Sequence, residues 1–478
     1  MDCIILSGFE GPVWNRAIGP YQLCFYLRKH GYSAMVIDFV NHMLEREIDK
    51  LLKKFVTNET KIIGISTTFL SKQNDLISNT HDNEDNQIIP KNIIKSLEKM
   101  KIEFPNIKIV AGGSRSLNVK NSKIIDVLVH GFAEDSLLFL IKNINSSNLK
   151  LLPKLENKIS ITKDNEDWKI EKLDFKFSDQ DGILENETLP IEISRGCVFN
   201  CGFCSYPLNG KKKFDYLRDP KFVADELQYN YEKWKIKNYV LTDDTFNDST
   251  FKLEKLLIEI KKLPFKINFV SYIRLDLIKA HQEQVNLLKE LGLMSAFFGL
   301  ETLNQKSATI IGKGGNIKSI KDFLPKLYYD LWNKEISIFS SFIIGLPYET
   351  EASIKDTFNW LLPYKSDFNP VFWPLTFRNG FYLSQFEKNP SKFNYTVIDE
   401  FTWKSPWMDS NKALELTNES NSIFNKSKPS TWLTASLLTH GFDKNELLKT
   451  EIAELDFKKL YKQKIKMVKQ YKENLLNL

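Results

Sequence analysis

Three cysteines, Cys197, Cys201 and Cys204, lie within eight positions of a 478-residue chain that contains only five cysteines. They belong to the stretch SRGCVFNCGFCSYP (194–207), whose two glycines allow the backbone to wrap closely around a ligand. A chain with few cysteines and no recognisable export signal is expected in a reducing compartment, where disulfides are rare. The cluster therefore predicts a metal centre or catalysis rather than a disulfide framework.

The number of cysteines narrows the kind of metal centre. A structural zinc site takes four ligands, normally from two paired motifs, but the chain has no second cysteine pair. The nearest histidines, His130 and His281, are far away in the sequence. Iron–sulfur clusters take thiolate ligands, and three thiolates on a four-iron cluster leave one iron with an open position. We therefore predict that Cys197, Cys201 and Cys204 hold an iron–sulfur cluster at a site that binds and transforms a ligand.

Residues 1–145 alternate short apolar segments with amphipathic ones, and the polar stretch 72–87 between them predicts a surface loop. Strands are predicted at 3–8, 33–40, 61–67, 108–113 and 126–131, and helices at 21–31, 45–56, 90–104 and 134–144. This alternation is typical of a Rossmann-like, doubly wound parallel sheet. Such sheets bind ligands beyond the carboxyl ends of their strands. The candidate contacts are therefore the loops that begin at Gly8, Ser66, Gly112 and Gly131.

A polar connector at 146–187 precedes a second α/β series at 188–390. Its predicted strands are 190–194, 238–244, 265–273, 295–301 and 336–347. Repeated strand–helix units of this length predict a complete or partial (β/α) barrel, which places the cysteine loop after the first barrel strand. The C-terminal region, 391–478, is expected to be mainly helical, with Lys-rich amphipathic helices at 443–476.

The composition excludes several classes of protein. Hydrophobic residues make up 42% and charged residues 26%, as in globular proteins, and the net charge is only +6. No apolar run reaches the roughly 18–20 residues that cross a bilayer, so we expect no membrane partner and a cytoplasmic location. Lysine without arginine or interleaved glycines is a weak signal for nucleic-acid binding, so we do not expect a nucleic-acid partner.

Four motifs in the expected order resemble the radical S-adenosylmethionine (radical SAM) superfamily. They are the CxxxCxxC of Cys197–Cys204, TDDTF (242–246), FGLETLN (298–304) and FIIGLPYET (342–350), and the likeness covers roughly 188–365. The resemblance implies a partial, (β/α)6-type TIM barrel and a [4Fe-4S] cluster. It further implies that the amino and carboxylate groups of S-adenosylmethionine (SAM) chelate the open iron. One electron from the cluster would then cleave SAM to methionine and a 5′-deoxyadenosyl radical.

The resemblance also implies roles for single residues. Phe203 would lie near the adenine, and Asp243 or its neighbour Asp244 would accept a hydrogen bond from the methionine ammonium group or the substrate. Arg274 would pair with the methionine carboxylate, Glu301 would accept from the ribose hydroxyls, and Gly345 would let the backbone approach the adenine. Each has a purely structural alternative: core packing for Phe203, helix capping for the aspartates, ion pairs for Arg274 and Glu301, and a tight turn for Gly345.

The N-terminal domain resembles the cobalamin (B12)-binding domain that precedes the barrel in one class of radical SAM enzymes. The matching stretches are 19–39, GISTTF (64–69), VAGGSRS (110–116) and HGFAED (130–135). The resemblance implies cobalamin contacts at Gly8, Ser66, Gly112, Gly113 and Gly131. None of the six histidines lies in an Asp-x-His-x-x-Gly motif, which supplies a cobalt ligand in many such domains. The domain is therefore either a cobalamin site without that ligand or a degenerate Rossmann unit.

The expected function is that of a radical SAM enzyme that transfers a methyl group from cobalamin to an unactivated carbon. One alternative is a cobalamin-independent or non-methylating radical SAM enzyme, and another is a non-catalytic iron–sulfur protein for electron transfer or sensing. The expected partners are a substrate that the sequence does not identify and an electron donor such as flavodoxin or ferredoxin.

Overall fold

The computed structural model describes the chain except for residues 10–13, 71–88, 147–151, 156–157, 163–167, 207, 209, 314, 379 and 425–427. The loop predicted at 72–87 lies outside the described residues. Two large sheets, one in each half of the chain, organise the rest. No described helix is both long and apolar enough to cross a membrane.

The first sheet has seven strands in the order β2-β1-β3-β4-β5-β7-β6, all parallel except the pair β7 and β6. The strands are β1 (Cys3–Leu6), β2 (Ala34–Ile37), β3 (Ile62–Ser66), β4 (Lys108–Gly112), β5 (Val127–Val129), β6 (Lys154–Leu155) and β7 (Lys158–Ile161). The helices are α1 (Ile18–Lys29), α2 (Glu45–Phe55), α3 (Thr67–Leu70), α4 (Lys91–Glu103) and α5 (Glu134–Asn143). This strand order confirms the predicted doubly wound parallel sheet.

Both faces of this sheet are covered, which explains why its strands are almost entirely apolar. In β1, Cys3 and Ile5 face one hydrophobic cluster with α1 and α5, while Ile4 and Leu6 face another with α2 and α4. The alternation follows from the two-residue period of a strand. Because the central strands are parallel, their carboxyl ends lie together along one side of the sheet.

The second sheet has six parallel strands that neighbour one another in chain order. They are β8 (Thr188–Ile191), β9 (Asn238–Leu241), β10 (Asn268–Ile273), β11 (Leu293–Glu301), β12 (Ser337–Ile344) and β13 (Pro370–Pro374). The helices are α6 (Pro220–Trp234), α7 (Thr250–Ile260), α8 (Leu275–Ala280), α9 (Gln284–Leu291), α10 (Gln305–Ile310), α11 (Ile317–Lys326), α12 (Glu351–Leu361) and α13 (Lys365–Phe368). Because β8 and β13 both lie at edges, the sheet forms a partial barrel, as predicted.

The C-terminal region is mainly helical, also as predicted. It contains α14 (Gln385–Lys388), β14 (Thr396–Val397), β15 (Trp403–Lys404), α15 (Ser410–Ile423), α16 (Thr431–Thr439), α17 (Lys444–Lys449) and α18 (Phe457–Asn477). Helix α16 crosses the concave face of the partial barrel near the beginnings of its strands, where it packs on Val240, Val270 and Met294. The other face of the barrel packs against its own helices, as Tyr239 and Leu241 do against α6.

A buried polar centre joins the N-terminal segment, the end of the connector and the last helix. Arg16 forms an ion pair with Glu187 at 3.0 Å and donates to the hydroxyl of Tyr21, which donates in turn to Asp38. The hydroxyl of Tyr471, on α18, accepts from the backbone amide of Asp38 at 2.8 Å. Breaking a buried ion pair is costly, so these contacts hold the three regions together.

Candidate active site

The three cysteines lie in the loop that follows β8, beyond the carboxyl ends of the barrel strands. The backbone amide of Cys197 donates to Leu208 O, and the amide of Lys211 donates back to Cys197 O, each at 3.0 Å. Gly196 has φ +131°, and a Cβ there would lie 3.0 Å from the side chain of Lys211. Glycine at this position therefore allows the chain to fold back tightly on the cysteine loop.

The donor set of the loop fits an iron–sulfur cluster. All five cysteines are described and none forms a disulfide. Within the described part of the chain, no three His, Cys, Asp or Glu side chains converge on a position for one metal ion. In a four-iron cluster each thiolate binds a different iron, so Cys197, Cys201 and Cys204 need not converge on one point.

Arg274 lies at the end of β10 and contacts the cysteine loop. Its guanidinium group stacks on the ring of Phe199 at 3.7 Å, and Nη1 lies 3.8 Å from the sulfur of Cys201. Nε and Nη2 donate to the two carboxylate oxygens of Asp276 at 3.0 and 2.6 Å. The bidentate face that would bind the methionine carboxylate is thus occupied by Asp276, and the predicted role requires an exchange of partners.

Asp243 is completely buried directly after β9, and protein groups satisfy its carboxylate. It accepts from the backbone amides of Ile193 and Ser194 at 2.9 and 3.0 Å, and it forms an ion pair with Lys252 at 2.9 Å. These contacts fix the chain that leads into the cysteine loop. They describe a positioning role, and a contact of Asp243 with SAM stays a prediction.

Its neighbour Asp244 is the accessible member of the pair. The side chain of Asp244 is exposed to solvent. Desolvation by the surrounding protein is nevertheless the main cause that raises its pKa to about 7. An accessible group with strong desolvation lies in a concave part of the molecule. Asp244 therefore has the better geometry for contacting a ligand.

Glu301 ends β11 in a left-handed conformation with φ 66°, next to an irregularity in the pairing with β12. Lys313 Nζ donates to Gly299 O at 2.5 Å and lies 3.7 Å from Glu301 Oε1. Burial raises the pKa of Glu301, while the charges of Lys313 and Arg274 lower it. The left-handed backbone and Lys313 together fix the position of this carboxylate. No sequence motif predicted the role of Lys313.

Gly345 has φ +107°, and a Cβ there would lie 2.5 Å from the indole of Trp403. Tyr395 donates its hydroxyl to Gly345 O at 2.6 Å, and Gly345 N donates to Glu349 at 3.1 Å. The structure thus gives this glycine a packing reason, and its approach to an adenine stays a prediction. Phe203 is half-buried and packs against the main hydrophobic cluster.

The residues predicted for cobalamin lie at the carboxyl ends of strands in the first sheet, a region that we call the glycine edge. Gly8, Ser66, Gly112 and Gly131 end or follow β1, β3, β4 and β5, which are adjacent strands. A Cβ at Gly8 would lie 2.3 Å from Asn41 Oδ1, and one at Gly113 (φ +105°) would lie 2.6 Å from Thr68 Oγ1. Polar side chains therefore approach the glycine backbone directly.

His130 is buried at this edge, and both of its ring nitrogens have partners. Nδ1 lies 3.0 Å from Ser116 Oγ and Nε2 lies 3.1 Å from Ser160 Oγ. The ring of Phe381 stacks on it at 4.6 Å with an interplanar angle of 5°. His130 therefore offers no open nitrogen to a metal.

One short segment, Tyr382–Phe386, contacts both the glycine edge and the cysteine loop. Tyr382 places its hydroxyl 2.3 Å from the position of a Cβ at Gly131, and the amide of Phe386 donates to Gly202 O in the cysteine loop at 3.1 Å. Arg195, just before the cysteines, forms ion pairs with Glu192 of the barrel and Glu134 of α5. The cysteine loop and the glycine edge thus belong to one continuous region.

The geometry defines a two-domain α/β protein with a three-thiol loop at the mouth of a partial barrel. Residues 191–361 match the model of the Radical SAM superfamily. The match covers the cysteine loop and strands β9 to β12 of the partial barrel. Enzymes of this family use a [4Fe-4S] cluster and SAM.

A curated relative matches most of the chain. It is the anaerobic magnesium-protoporphyrin IX monomethyl ester cyclase of Cereibacter sphaeroides, which is 23% identical over 415 residues, or 78% of this chain and 60% of the relative. The chain therefore spans less than two thirds of the length of this relative.

Two solved structures resemble the whole architecture. The radical SAM methyltransferase TsrM from Kitasatospora setae, bound to tryptophan substrate and a SAM analogue, gives a TM-score of 0.58 at 15% identity over 82% of this chain and 76% of TsrM. The cobalamin-dependent SAM radical enzyme OxsB, bound to aqua-cobalamin and SAM, gives a TM-score of 0.54 at 15% identity over 92% of this chain and 66% of OxsB. At this identity the likeness shows the fold.

Proposed function

We propose that this protein is a cobalamin-dependent radical SAM methyltransferase that acts on an unactivated carbon. The observation that carries the proposal is the meeting of the cysteine loop and the glycine edge, through Tyr382–Phe386 and through Arg195. In such a reaction the SAM-derived radical and the methyl group of cobalamin must both reach the same substrate carbon. Both cofactor sites must therefore open onto the same space. The similar folds of TsrM and OxsB support the same reading.

In this proposal, the cluster and SAM supply a carbon-centred radical, and cobalamin supplies the methyl group. Cys197, Cys201 and Cys204 hold the cluster through their thiolates. Arg274 orients the methionine carboxylate, and Glu301 accepts from the ribose hydroxyls while Lys313 holds it in place. These are charge-assisted contacts, which suit a zwitterionic ligand.

The glycine edge fits a large, neutral ligand. Gly112 leaves room, since a Cβ there would meet only Val129 at 3.7 Å. Asn41 Oδ1 is buried beside Gly8 without a donor among the described residues, so it is ready to accept from an amide-bearing ligand. Because His130 has no open nitrogen, it would not be the cobalt ligand, and hydroxyls, backbone and Asn41 would contact cobalamin at this edge.

A second candidate is a radical SAM enzyme that works without cobalamin. One observation favours it: Tyr382 covers Gly131, and Phe381 covers His130, so protein side chains occupy part of the edge. Cobalamin binding would then require this segment to contact or make way for the ligand.

The first experiment tests SAM cleavage. Anaerobically reconstituted protein with dithionite and SAM should release 5′-deoxyadenosine, and the Cys201→Ala variant should release none. Cys24→Ala, which changes a buried cysteine in α1 far from the loop in sequence, is the matched control and should retain the reaction. Equal product from wild type and Cys201→Ala would refute the radical SAM mechanism.

The second experiment separates the two candidates. Protein folded with hydroxocobalamin should keep a corrinoid absorbance through gel filtration. Ser66→Arg, which places a large side chain at the end of the central strand β3, should lose that absorbance. A colourless wild-type protein that cleaves SAM would favour the cobalamin-independent enzyme.

A further inference from the structure

A row of aromatic side chains crosses the concave face of the partial barrel. Tyr272, Phe297 and Phe339 are direct neighbours across β10, β11 and β12, with ring centroids 4.6 and 5.2 Å apart. Trp432 of α16 lies below them, 5.9 Å from the ring of Tyr272. The row therefore faces the inside of the barrel and not its helices.

Phe339 is only 6% exposed, but the other rings of the row keep accessible surface. Tyr272, Phe297 and Trp432 are half-buried, whereas the neighbouring Phe298 on the opposite face is completely buried. On the edge strand β13, the side chain of Trp373 is 42% exposed and shares the concave face by alternation with the buried Phe372. Accessible aromatic surface inside a barrel is surface available to a ligand.

The aromatic row lies two residues before Arg274 along β10, on the amino-terminal side of the predicted site of SAM cleavage. Arg274 follows Tyr272 by two residues on the same strand, so it lies about 7 Å further along. Its guanidinium group contacts the cysteine loop at Cys201. A ligand on the aromatic row would therefore lie between α16 and the cluster, within reach of a radical formed there.

We propose that this row binds a planar, conjugated multi-ring portion of the substrate; the inference rests on the proposed radical SAM function and names its substrate class. The row carries no charged side chain, so its attraction is stacking and apolar burial. Three strands about 4.8 Å apart span roughly 10 Å, which is more than one six-membered ring requires. Fused or macrocyclic rings match this width.

The test compares two probes that differ in planarity. Protoporphyrin IX is planar and conjugated, whereas protoporphyrinogen IX carries the same side chains on a puckered, non-conjugated ring. Anaerobic fluorescence titration of the full chain should show tighter binding of the planar probe. Phe297→Leu should weaken that binding roughly 3- to 10-fold, as expected for loss of one ring contact. Tyr272→Phe, which keeps the ring, should bind like wild type, and so should the control Phe251→Leu on the outer helix α7.

Equal affinities for the two probes, or equal affinities of wild type and Phe297→Leu, would overturn the inference. A thermal melt of each variant shows whether it is folded, and Tyr272→Phe tests the hydroxyl separately from the ring. Titrations without SAM measure ring binding independently of SAM cleavage, so the substrate class and the proposed function are tested separately. Absent ring binding in a protein that cleaves SAM refutes only the substrate class, and ring binding in a protein that does not cleave SAM refutes only the proposed function.

A different observation carries a second inference. The residues Lys211–Lys213, Phe214, Phe251 and Lys255 form a surface that we call the Lys–Phe surface. Phe214 and Phe251 are 61% and 53% exposed, with ring centroids 6.1 Å apart. Lys255 Nζ lies 5.3 Å from the ring of Phe251. Adjacent exposed aromatic rings surrounded by cations are typical of an interaction surface.

The Lys–Phe surface is continuous with the cysteine loop. Lys211 and Leu208 pair with the backbone of Cys197, and Gly210 N donates to Phe199 O at 2.9 Å. One acid, Asp215, lies in the surface and is paired with Lys211 at 3.1 Å. Glu254 on α7 is a second exposed acid beside Phe251, so four lysines outnumber two acids at this surface beside the predicted cluster.

We propose that the Lys–Phe surface docks an acidic electron-transfer protein of the flavodoxin type, which gives up one electron while the cluster accepts one. The electron requirement rests on the proposed function, whereas the choice of an acidic partner rests on charge complementarity, which sets association rate and specificity. The exposed phenylalanines supply the apolar centre of the contact and the lysines its rim.

The charge-reversal variant Lys212→Glu/Lys213→Glu tests this contact. Its Kd for flavodoxin, measured by biolayer interferometry, should be at least 10-fold weaker than that of wild type, and it should depend less on salt. The ratio of flavodoxin-supported to dithionite-supported SAM cleavage should also fall. Lys458→Glu/Lys459→Glu, which makes the same charge change on exposed lysines of α18, is the control and should match wild type. An unchanged Kd for the first variant, or an equal loss in the control, would overturn the proposal.

Discussion

Two regions contact each other in this molecule: the glycine edge of the first sheet and the carboxyl ends of the barrel strands, which we call the barrel edge. They differ in the side chains that they carry. The barrel edge carries charged groups in close contact, such as Arg274 with Asp276 and Glu301 with Lys313. The glycine edge carries backbone and small polar groups, among them Gly112 and Ser66, and its histidine is buried between two serine hydroxyls. A charged edge suits a charged ligand such as SAM, whereas an edge with few charged side chains suits a bulky neutral ligand.

The difference also determines how each edge responds to substitution and to pH. Charged pairs in a buried setting are sensitive to the loss of one partner and to pH. A glycine edge is sensitive to added atoms rather than to lost charges. Substitutions at the junction, at the barrel edge and at the glycine edge should therefore produce effects of different kind and size.

The largest effect is expected at Arg195, where the two edges are joined. Its guanidinium group pairs with Glu134 and Glu192 and lies over the ring of Trp168 at 3.9 Å. Arg195→Gln removes a buried cation that pairs with two buried carboxylates, so the free energy of unfolding should fall by about 3–5 kcal/mol. Urea denaturation measures it. Arg195→Lys keeps the charge and should lose less, and equal losses in both variants would show that charge is not the cause.

A pH-dependent effect is expected at the barrel edge. Burial raises the pKa of Glu349 to about 8 from its usual value of 4.5. Because the folded chain holds this proton more tightly than the unfolded chain, stability is highest below the unfolded pKa and falls as pH rises to the folded pKa. The fall should be about 1.4 kcal/mol per pH unit between pH 5 and pH 8.

Glu349→Gln removes the titration and keeps the hydrogen-bonding shape. The amide oxygen of glutamine can accept from Gly345 N and Leu346 N, and its NH2 group can donate to Thr302, which now donates to Glu349. Relative to this variant, wild type should lose stability between pH 5 and pH 8 in chemical denaturation. Parallel pH profiles for the two proteins would contradict the prediction.

Sequence reasoning predicted what is local and periodic. The strand–helix alternation predicted both sheets, because each strand buries an apolar segment of characteristic length. The cysteine spacing predicted the loop after β8, because three thiols in eight positions have few other uses. The order of the glycines along the chain predicted their shared edge, because parallel strands bring their carboxyl ends together.

Contacts between distant parts of the chain were not predictable in this way. Phe381 and Tyr382 cover the glycine edge from about 250 positions away, and no local pattern marks them. Helix α16 inside the barrel looks in sequence like any short apolar helix. Lys313 follows a Gly in a polar loop, and only its contact with Gly299 and Glu301 shows what it positions.

The smallest effect is expected at the glycine edge, where Gly131 and Gly112 differ both in backbone conformation and in the space for a Cβ. Gly131 has φ +77°, and a Cβ there would lie 2.3 Å from the hydroxyl of Tyr382, whereas Gly112 has room for a Cβ. Gly131→Ala should lower the free energy of unfolding by about 1–2 kcal/mol, from left-handed strain and displacement of Tyr382. Gly112→Ala should change it by less than about 0.5 kcal/mol. If the two alanines destabilise equally in urea denaturation, neither left-handed strain nor the contact with Tyr382 limits substitution at the glycine edge.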